Sequence, residues 1–472
     1  MSKLILVSNR APVTVRVDGQ ELRLDRSSGG LVAGLAGPHD EFEGTWIGWP
    51  GELPRLSAAQ RRQLEAQLAD IRVVPVYLNR RDIKGFYEDI ANSSLWPVLH
   101  YRIDQLPLHP TGWDVYAKVN EAFARAVAEA HEPGDRVWVH DYHLTLVPSL
   151  VRQALPDARI GFFLHVPFPV PEVFAVLPWR REILEGLLGA DLVGFHTTLD
   201  ANHFIESCRR ILKVTPTNDI VMHQDRPVRA GAFPLGIDTH FWSSLATRPD
   251  VMEHATEIRS ETQNRKILVG IDRLDYTKGL PSRLTAIELL FQADPDLARR
   301  LRLIQVIFPS REAIESYASL KRRVDEIVGR INGRYGTTAD APIRVLNRNM
   351  QPNDVAALYQ AADIMLVTPL RDGMNLVAKE FVASRAKEDG VLVLSEFAGA
   401  ANELTDAVIV NPYDVEGMAA SIRAALDMPL REQRQRMRNL RAKVLRNDVH
   451  VWADSFLGAL DGDDMPSGIR TA

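Results

Sequence analysis

The chain has 472 residues, more than one hydrophobic core usually serves, so two large domains are expected. Hydrophobic residues make up 46% and charged residues 25%, an ordinary globular balance, and the formal net charge of −5 argues against nucleic acid as the main partner, although a local basic pocket for phosphates fits within that sum. The one cysteine, Cys208, excludes an intrachain disulfide and fits a reducing compartment.

The apolar run near the N-terminus, Leu4-Ile-Leu-Val7, is too short for a signal-peptide core. No stretch of about 18 apolar residues suggests a membrane span. A cytoplasmic protein without a membrane partner is expected.

In chain order, Leu4–Ser8 reads as a strand. Val13–Val17 and Glu21–Leu24 read as a hairpin, because Asp18-Gly19 suits a tight primed turn. Trp113–Ala130 and Leu144–Leu155 read as helices that precede the strands Arg136–Val139 and Ile160–Leu164. Ala190–Phe195 is a further strand, followed by a helix through Ile211 that carries Cys208 as a half-buried thiol. Short β-branched runs alternating with helical periods are the pattern of parallel sheets with crossover helices.

The second half repeats this grammar. Strands are predicted at Lys266–Ile271, Leu301–Phe308, Ile343–Leu346, Ile364–Thr368, Gly390–Leu394 and Ala407–Val410. Helices alternate with them at Pro281–Gln292, Ala313–Arg330, Asn353–Ala361 and Leu376–Arg385. Glycine and proline in Pro234–Asp238 mark the boundary. The expected organisation is therefore a Rossmann-like domain over 1–235 and a second over 236–456. One long charged helix follows Asp414, and residues 457–472 read as a disordered tail. The fold class is α/β, two doubly wound domains facing a cleft, with ligands beyond the carboxyl ends of the strands.

The loops at those ends carry the chemistry. Ser27-Ser-Gly29-Gly30 leads into a helical start, where backbone N–H groups can meet a phosphate; a plain turn is the simpler reading. Arg273 and Lys278 follow the strand Lys266–Ile271 and can neutralise a diphosphate leaving group, although alone they read equally as a solvated pair. Arg371-Asp372-Gly-Met-Asn-Leu376-Val377-Ala378-Lys379-Glu380 follows Ile364–Thr368. There Asp372 suits sugar hydroxyls, the N–H groups near Leu376 suit a phosphate, and Glu380 suits ribose hydroxyls; a capping Asp and a surface Glu remain the alternative. His140-Asp141-Tyr-His143 and His165 also sit at strand ends, but no third ligand at suitable spacing supports a metal. The Asp-x-Asp strings at Asp294–Asp296 and Asp461–Asp463 sit in a turn and in the tail, away from strand ends, so no metal site is expected.

In this order, several motifs resemble those of the trehalose-6-phosphate synthases, retaining glucosyltransferases with two Rossmann-like domains (the GT-B architecture). They are Val7-Ser-Asn-Arg10, Ser27–Gly30, Trp46-Ile-Gly-Trp-Pro-Gly51, Trp138-Val-His-Asp-Tyr-His-Leu144, Gly161–Pro169, Arg273–Gly279, Leu370–Glu380 and Ser395–Ala401. The resemblance covers Leu4 to about Phe456. It implies that Arg10, Tyr87, Asp141 and Arg311 bind glucose 6-phosphate. It implies that Gly29, Gly30, Arg273, Lys278, Met350, Asp372 and Leu376 through Glu380 hold UDP-glucose. Trp96 and His165 would favour the α anomer, and Arg273, Lys278, Asp372 and His165 would carry catalysis. The family acts without a metal or other cofactor, and retention is consistent with front-face attack in which the departing phosphate takes the acceptor's proton. A homo-oligomer, a homotetramer in particular, and roles in osmoprotection and stress response are further implications.

Phe86–Asn92 and Leu106–Trp113 depart from the family's usual pattern, and Met350 stands where an aromatic is common. Two other functions are weighed: transfer to another phosphorylated acceptor such as glycerol 3-phosphate, and a silent sugar-nucleotide sensor. Asn9–Pro12 and Trp96 favour the trehalose reading over the first. The presence of Arg273, Lys278, Asp372 and Glu380 disfavours the second.

Overall fold

A computed structural model describes residues 3–18, 21–26, 35, 37, 39, 44–263, 265–310, 314–338 and 340–463. The chain divides into two compact units. One runs from Met1 to Pro234 and takes in the described part of His450–Ala472; the other is Leu235–Val449.

In the first unit, β1 (Leu4–Arg10) is buried along all but its last residue, as an interior parallel strand flanked on both faces requires. The hairpin β2 (Val13–Asp18) and β3 (Glu21–Arg26) follows, with Asp18 opposite Glu21. This is the register of a two-residue loop, and Gly19 itself lies outside the described residues. Then come β4 (Thr45–Trp49), β5 (Val73–Pro75), β6 (Arg136–His140), β7 (Arg159–Phe163), β8 (Leu192–Phe195), β9 (Ile220–His223) and β10 (Arg226–Ala232). The eight-stranded sheet has the order β5-β4-β1-β6-β7-β8-β10-β9, parallel except for the β9–β10 pair. The chain lays down β1, steps outward to β4 and β5, and returns to β6 on the other side of β1. The topological switch point therefore lies between β1 and β6, where the strand ends leave a crevice.

The sequence reading missed β4, β5, β9 and β10. It also missed a run of π-helix over Ile83–Leu95, a rare conformation that recurs at functional sites. The last helix, Val449–Asp461, corrects the reading of the C-terminus. From His450 onward it belongs to the first unit rather than the second, and its end, through Asp461, runs into the region read as a disordered tail. Residues 464–472 lie outside the described ones. Phe456 stacks on Trp138 at 4.6 Å between ring centroids. Gly161 and Gly194 leave room for its ring, since a Cβ at either would sit 2.6 or 2.7 Å from it. Phe456 is fully buried. Phe456→Ala should therefore cost about 3–5 kcal/mol of stability, seen as a lower urea midpoint at unchanged slope. An unchanged midpoint would contradict this packing role.

In the second unit, β11 (Lys266–Arg273), β12 (Leu301–Phe308), β13 (Ile343–Asn347), β14 (Ile364–Val367), β15 (Val391–Ser395) and β16 (Val408–Val410) form a six-stranded sheet, β13-β12-β11-β14-β15-β16. Every pair is parallel. This is again a doubly wound sheet, with its switch point between β11 and β14. All six strands match the sequence reading to within two residues at either end. The charged helix after Asp414 is instead two helices, Val415–Leu426 and Leu430–Arg446, with Pro429 capping the second. Proline has no N–H to continue a ladder, so the first helix stops before it.

Candidate active site

In the first unit the candidate residues gather at the β1/β6 switch point. Arg10 ends β1 and lays its guanidinium over the Trp49 ring, 3.9 Å from the centroid, with Tyr87 at 5.7 Å. Tyr87 in turn stacks on His143 at 5.8 Å and 8°. A cation seated on aromatic faces keeps its charge while its orientation is fixed. Asp141 follows β6 with φ 75° and ψ 165°, a region that residues with a side chain rarely enter and one that clusters at functional sites. Its Oδ1 accepts from the His165 N–H at 3.3 Å, and its own N–H donates to the Phe163 carbonyl at 2.8 Å.

Trp96 is buried and joins the same group through Tyr142, with ring centroids 5.6 Å apart. The Tyr142 hydroxyl donates to Asn92 Oδ1 (2.9 Å), and Asn92 Nδ2 donates to the Tyr87 carbonyl (2.8 Å). The segment Phe86–Asn92 thus departs from the family pattern yet braces Tyr87 within the π-helix. Trp49, Asn92, Tyr142 and His143 were not named as site residues, although all but Asn92 fall within the family motifs. His140, His165 and His196 end or follow β6, β7 and β8, neighbours in the sheet. Burial pushes the His140 pKa down to about 3.

In the second unit, the β11/β14 switch point brings Lys278 and Asp372 together. Lys278 Nζ lies 2.5 Å from Asp372 Oδ2, both side chains being largely buried. Asn375 Nδ2 donates to the same oxygen at 2.9 Å. The two loops are joined by Leu370 N–H donating to the Thr277 carbonyl at 2.7 Å. Gly279 permits the approach: its φ is +67°, and a Cβ there would stand 2.4 Å from the Thr368 carbonyl. Beneath the loops, Arg283 is wholly buried. It pairs with Asp272 and donates to Thr368 Oγ1 and Gln305 Oε1, each at 2.9 Å. Removing one partner of such a pair leaves a bare buried charge, so this network fixes the loop from below. Arg273 stands exposed at the end of β11.

The helix Leu376–Ser384 starts at Asn375, whose φ is 71° and whose side chain makes no cap hydrogen bond. The first-turn N–H groups of Leu376, Val377 and Ala378 therefore have no side-chain cap, the arrangement that receives an anion. Asn375 was missed as a site residue. The signal for it is that asparagine tolerates left-handed backbone better than other side chains. Glu380 accepts from the Tyr359 hydroxyl at 2.8 Å, and burial pushes its carboxyl up to about 7. The Lys379 side chain is buried, paired with Glu403 and donating to the Leu235 carbonyl at 2.8 Å, which leaves only its main chain for a ligand. Met350, after β13, packs on the apolar core. Gly29, Gly30 and Arg311 lie outside the described residues.

In each Asp-x-Asp string the first carboxylate is engaged by arginines. Asp294 is paired with Arg300 and Arg423, and Asp461 with Arg136 and Arg159. Among the described residues, no group of three His, Cys, Asp or Glu side chains is placed to hold a metal ion, and no helix is long and apolar enough to cross a membrane.

The chain is 43% identical over 97% of its length to an alpha,alpha-trehalose-phosphate synthase [UDP-forming] A of Dictyostelium discoideum, of which it spans 62%. It is 44% identical over 97% of its length to a trehalose-6-phosphate synthase of Mycobacterium avium, spanning 95% of that protein. Among solved structures, an Escherichia coli protein bound with UDP-2-fluoro glucose superposes with a TM-score of 0.88 at 33% identity, covering 98% of this chain and all of the other. A Burkholderia xenovorans alpha,alpha-trehalose-phosphate synthase (UDP-forming) in complex with glucose-6-phosphate gives 0.86 at 34%, over 98% of this chain and all of that one. The model of glycosyltransferase family 20 matches residues 2–462, and the chain belongs to that family.

Proposed function

We propose that the chain transfers glucose from UDP-glucose to glucose 6-phosphate with retention, giving α,α-1,1-trehalose 6-phosphate and UDP. The observation that carries this reading is the donor-side arrangement of the second unit. There the Lys278–Asp372 ion pair stands beside a helix start with no side-chain cap, with Glu380 one turn further on. Arg273, Lys278 and the Leu376–Ala378 N–H groups supply positive charge for a departing diphosphate, worth most where water is excluded. Asp372 takes sugar hydroxyls and Glu380 ribose hydroxyls. In the first unit, Arg10 supplies a fixed cation for the acceptor phosphate, with Tyr87, Asp141 and Trp96 around its sugar. Arg311, Gly29 and Gly30 complete the two sets by resemblance. With the departing phosphate as base, no carboxylate pair of the glycosidase kind is needed, and the protein contributes positioning and preorganised charge. Incubation with both substrates should give a disaccharide monophosphate by mass, with both anomeric protons α by NMR. Hydrolysis of UDP-glucose without such a product would refute the reading.

We read the reaction as metal-independent, because Arg273 and Lys278 supply the positive charge that a metal would bring and the first carboxylate of each Asp-x-Asp string is engaged by arginines. Activity should survive chelator to within about twofold, where a metal acting on the diphosphate would contribute several kcal/mol. A large loss restored by magnesium or manganese would contradict this. A cytoplasmic location fits the single buried Cys208, and assembly into a homo-oligomer and a role in osmoprotection follow the family resemblance.

Glu380 makes nucleotide binding depend on pH. Free, its carboxyl titrates at about 7. Ribose hydroxyls that donate to it favour the ionised form, so binding lowers that pKa and releases a proton. Affinity for UDP should therefore rise by about tenfold from about pH 6 to about pH 8. Calorimetry in buffers of different ionisation enthalpy checks this, and Glu380→Gln should abolish the dependence. A pH-independent affinity would detach Glu380 from the nucleotide.

A further inference from the structure

The histidines at the ends of β6, β7 and β8 allow their protons to be placed. Nδ1 of His140 lies 3.1 Å from Nε2 of His165, and Nε2 of His196 lies 3.2 Å from the backbone oxygen of His165. A carbonyl oxygen only accepts, so His196 carries a proton on Nε2 and pins the His165 main chain. His140 is wholly buried, beside Trp138 at 4.7 Å and Trp452 at 6.5 Å between ring centroids. Its Nε2 is buried without a hydrogen-bond partner. Burial holds both rings of the pair neutral, and for His165 the neighbouring His140 and His196 add to it.

Two neutral imidazoles that share one hydrogen bond have two arrangements. If His165 donates from Nε2, His140 must carry its proton on its own Nε2, an N–H buried with no acceptor. If His140 donates from Nδ1, the bare atom is only a lone pair. Orphaned buried N–H groups are rarer than underused acceptors, so the second arrangement prevails. His165 then accepts at Nε2 and carries its proton on Nδ1. That nitrogen makes no hydrogen bond among the described residues, and the ring is half-buried.

We infer that His140 is a positioning residue that locks His165 in the Nδ1–H tautomer, so that His165 offers a bound sugar a fixed hydrogen-bond donor. The inference rests on the proposed glucosyl transfer and on the family resemblance, which implies that His165 meets a bound sugar and favours its α anomer. A fixed donor recognises an oxygen lone pair, of a hydroxyl or a ring oxygen, and gives no acceptor to a hydroxyl that must itself donate. Tautomer control by a partner on the other nitrogen is the usual way a histidine's role is set.

The test is histidine 15N NMR on the intact, ligand-free chain, with signals assigned by difference against His165→Gln and His140→Asn. His165 should show a protonated Nδ1 and an unprotonated Nε2, and His140 the same pattern. A proton on Nε2 of His165 would overturn the inference. In turnover, His140→Phe should lose about 3- to 10-fold in kcat/KM, the range of one neutral hydrogen bond. His140→Asn, whose amide can donate from near the Nδ1 position, should regain most of that. Equal losses in the two variants, with the His165 tautomer unchanged in both, would also overturn it. If the phenylalanine variant does not fold, the spectrum of the unsubstituted chain decides. That spectrum needs no sugar, so a chain that failed to transfer glucose would refute the proposed reaction and leave the tautomer assignment standing.

Discussion

Arg273→Ala and Lys278→Ala should each lower turnover by roughly 10- to 200-fold, the equivalent of one charge-assisted bond of about 1.5–3 kcal/mol. The bond counts most as charge develops on the leaving diphosphate. Lys278 is held ready for this. Its ammonium is fixed by Asp372, and its loop is fixed from below by Arg283, Asp272 and Gln305. Folding should suffer less than catalysis, because Arg273 is exposed and Asp372 keeps its hydrogen bond from Asn375 when Lys278 is removed. Steady-state kinetics beside urea unfolding separates the two effects. Near-normal turnover in both variants would place the diphosphate elsewhere. Unfolding that matched the loss of activity would make the pair structural.

Arg10→Ala should raise the apparent requirement for glucose 6-phosphate by one to two orders of magnitude, on the same estimate of about 1.5–3 kcal/mol per charged bond. Donor affinity should barely move. Arg10 is exposed at the end of β1, and its guanidinium lies over Trp49. The variant should therefore fold normally, and a planar fork held on an aromatic face is suited to paired phosphate oxygens. The same result is expected for Arg311→Ala. Saturation curves for each substrate check both variants. A rise in the donor requirement instead would move Arg10 to the nucleotide.

The second unit was legible because its strands are rich in β-branched and other apolar residues, with helical periods between them. Ile364–Val367, wholly apolar and buried, is the clearest of them. In the first unit, β10 carries Arg226, Pro227 and Arg229 beside the edge strand β9, and no alternation announces either strand. Thr45–Trp49 reads as a motif more readily than as a strand, since two of its five residues are tryptophan. The π-helix over Ile83–Leu95 has no periodicity that distinguishes it from an ordinary helix. Candidate site residues were legible where a short loop follows a strand, as with Lys278, Asp372 and Asp141. Residues that act through packing were hidden. Arg283 reads as a surface arginine in an apolar helix, yet it is the buried counter-charge of Asp272. The position of Asp141 was legible but its left-handed backbone was not, since that is set by the turn between β6 and the following helical residues. The meeting of Lys278 and Asp372, 94 positions apart, follows from the strand order, which places β14 beside β11 rather than beside β13.

The most direct measurement is steady-state kinetics with UDP-glucose as donor and glucose 6-phosphate, glucose and glycerol 3-phosphate as acceptors side by side. An exposed arginine fixed for phosphate discriminates against an acceptor that lacks it, because each charged bond lost costs about 1.5–3 kcal/mol. Glucose 6-phosphate should be the best of the three by a wide margin, with free glucose a very poor acceptor. Glycerol 3-phosphate winning, or glucose working nearly as well as its phosphate, would contradict the assignment.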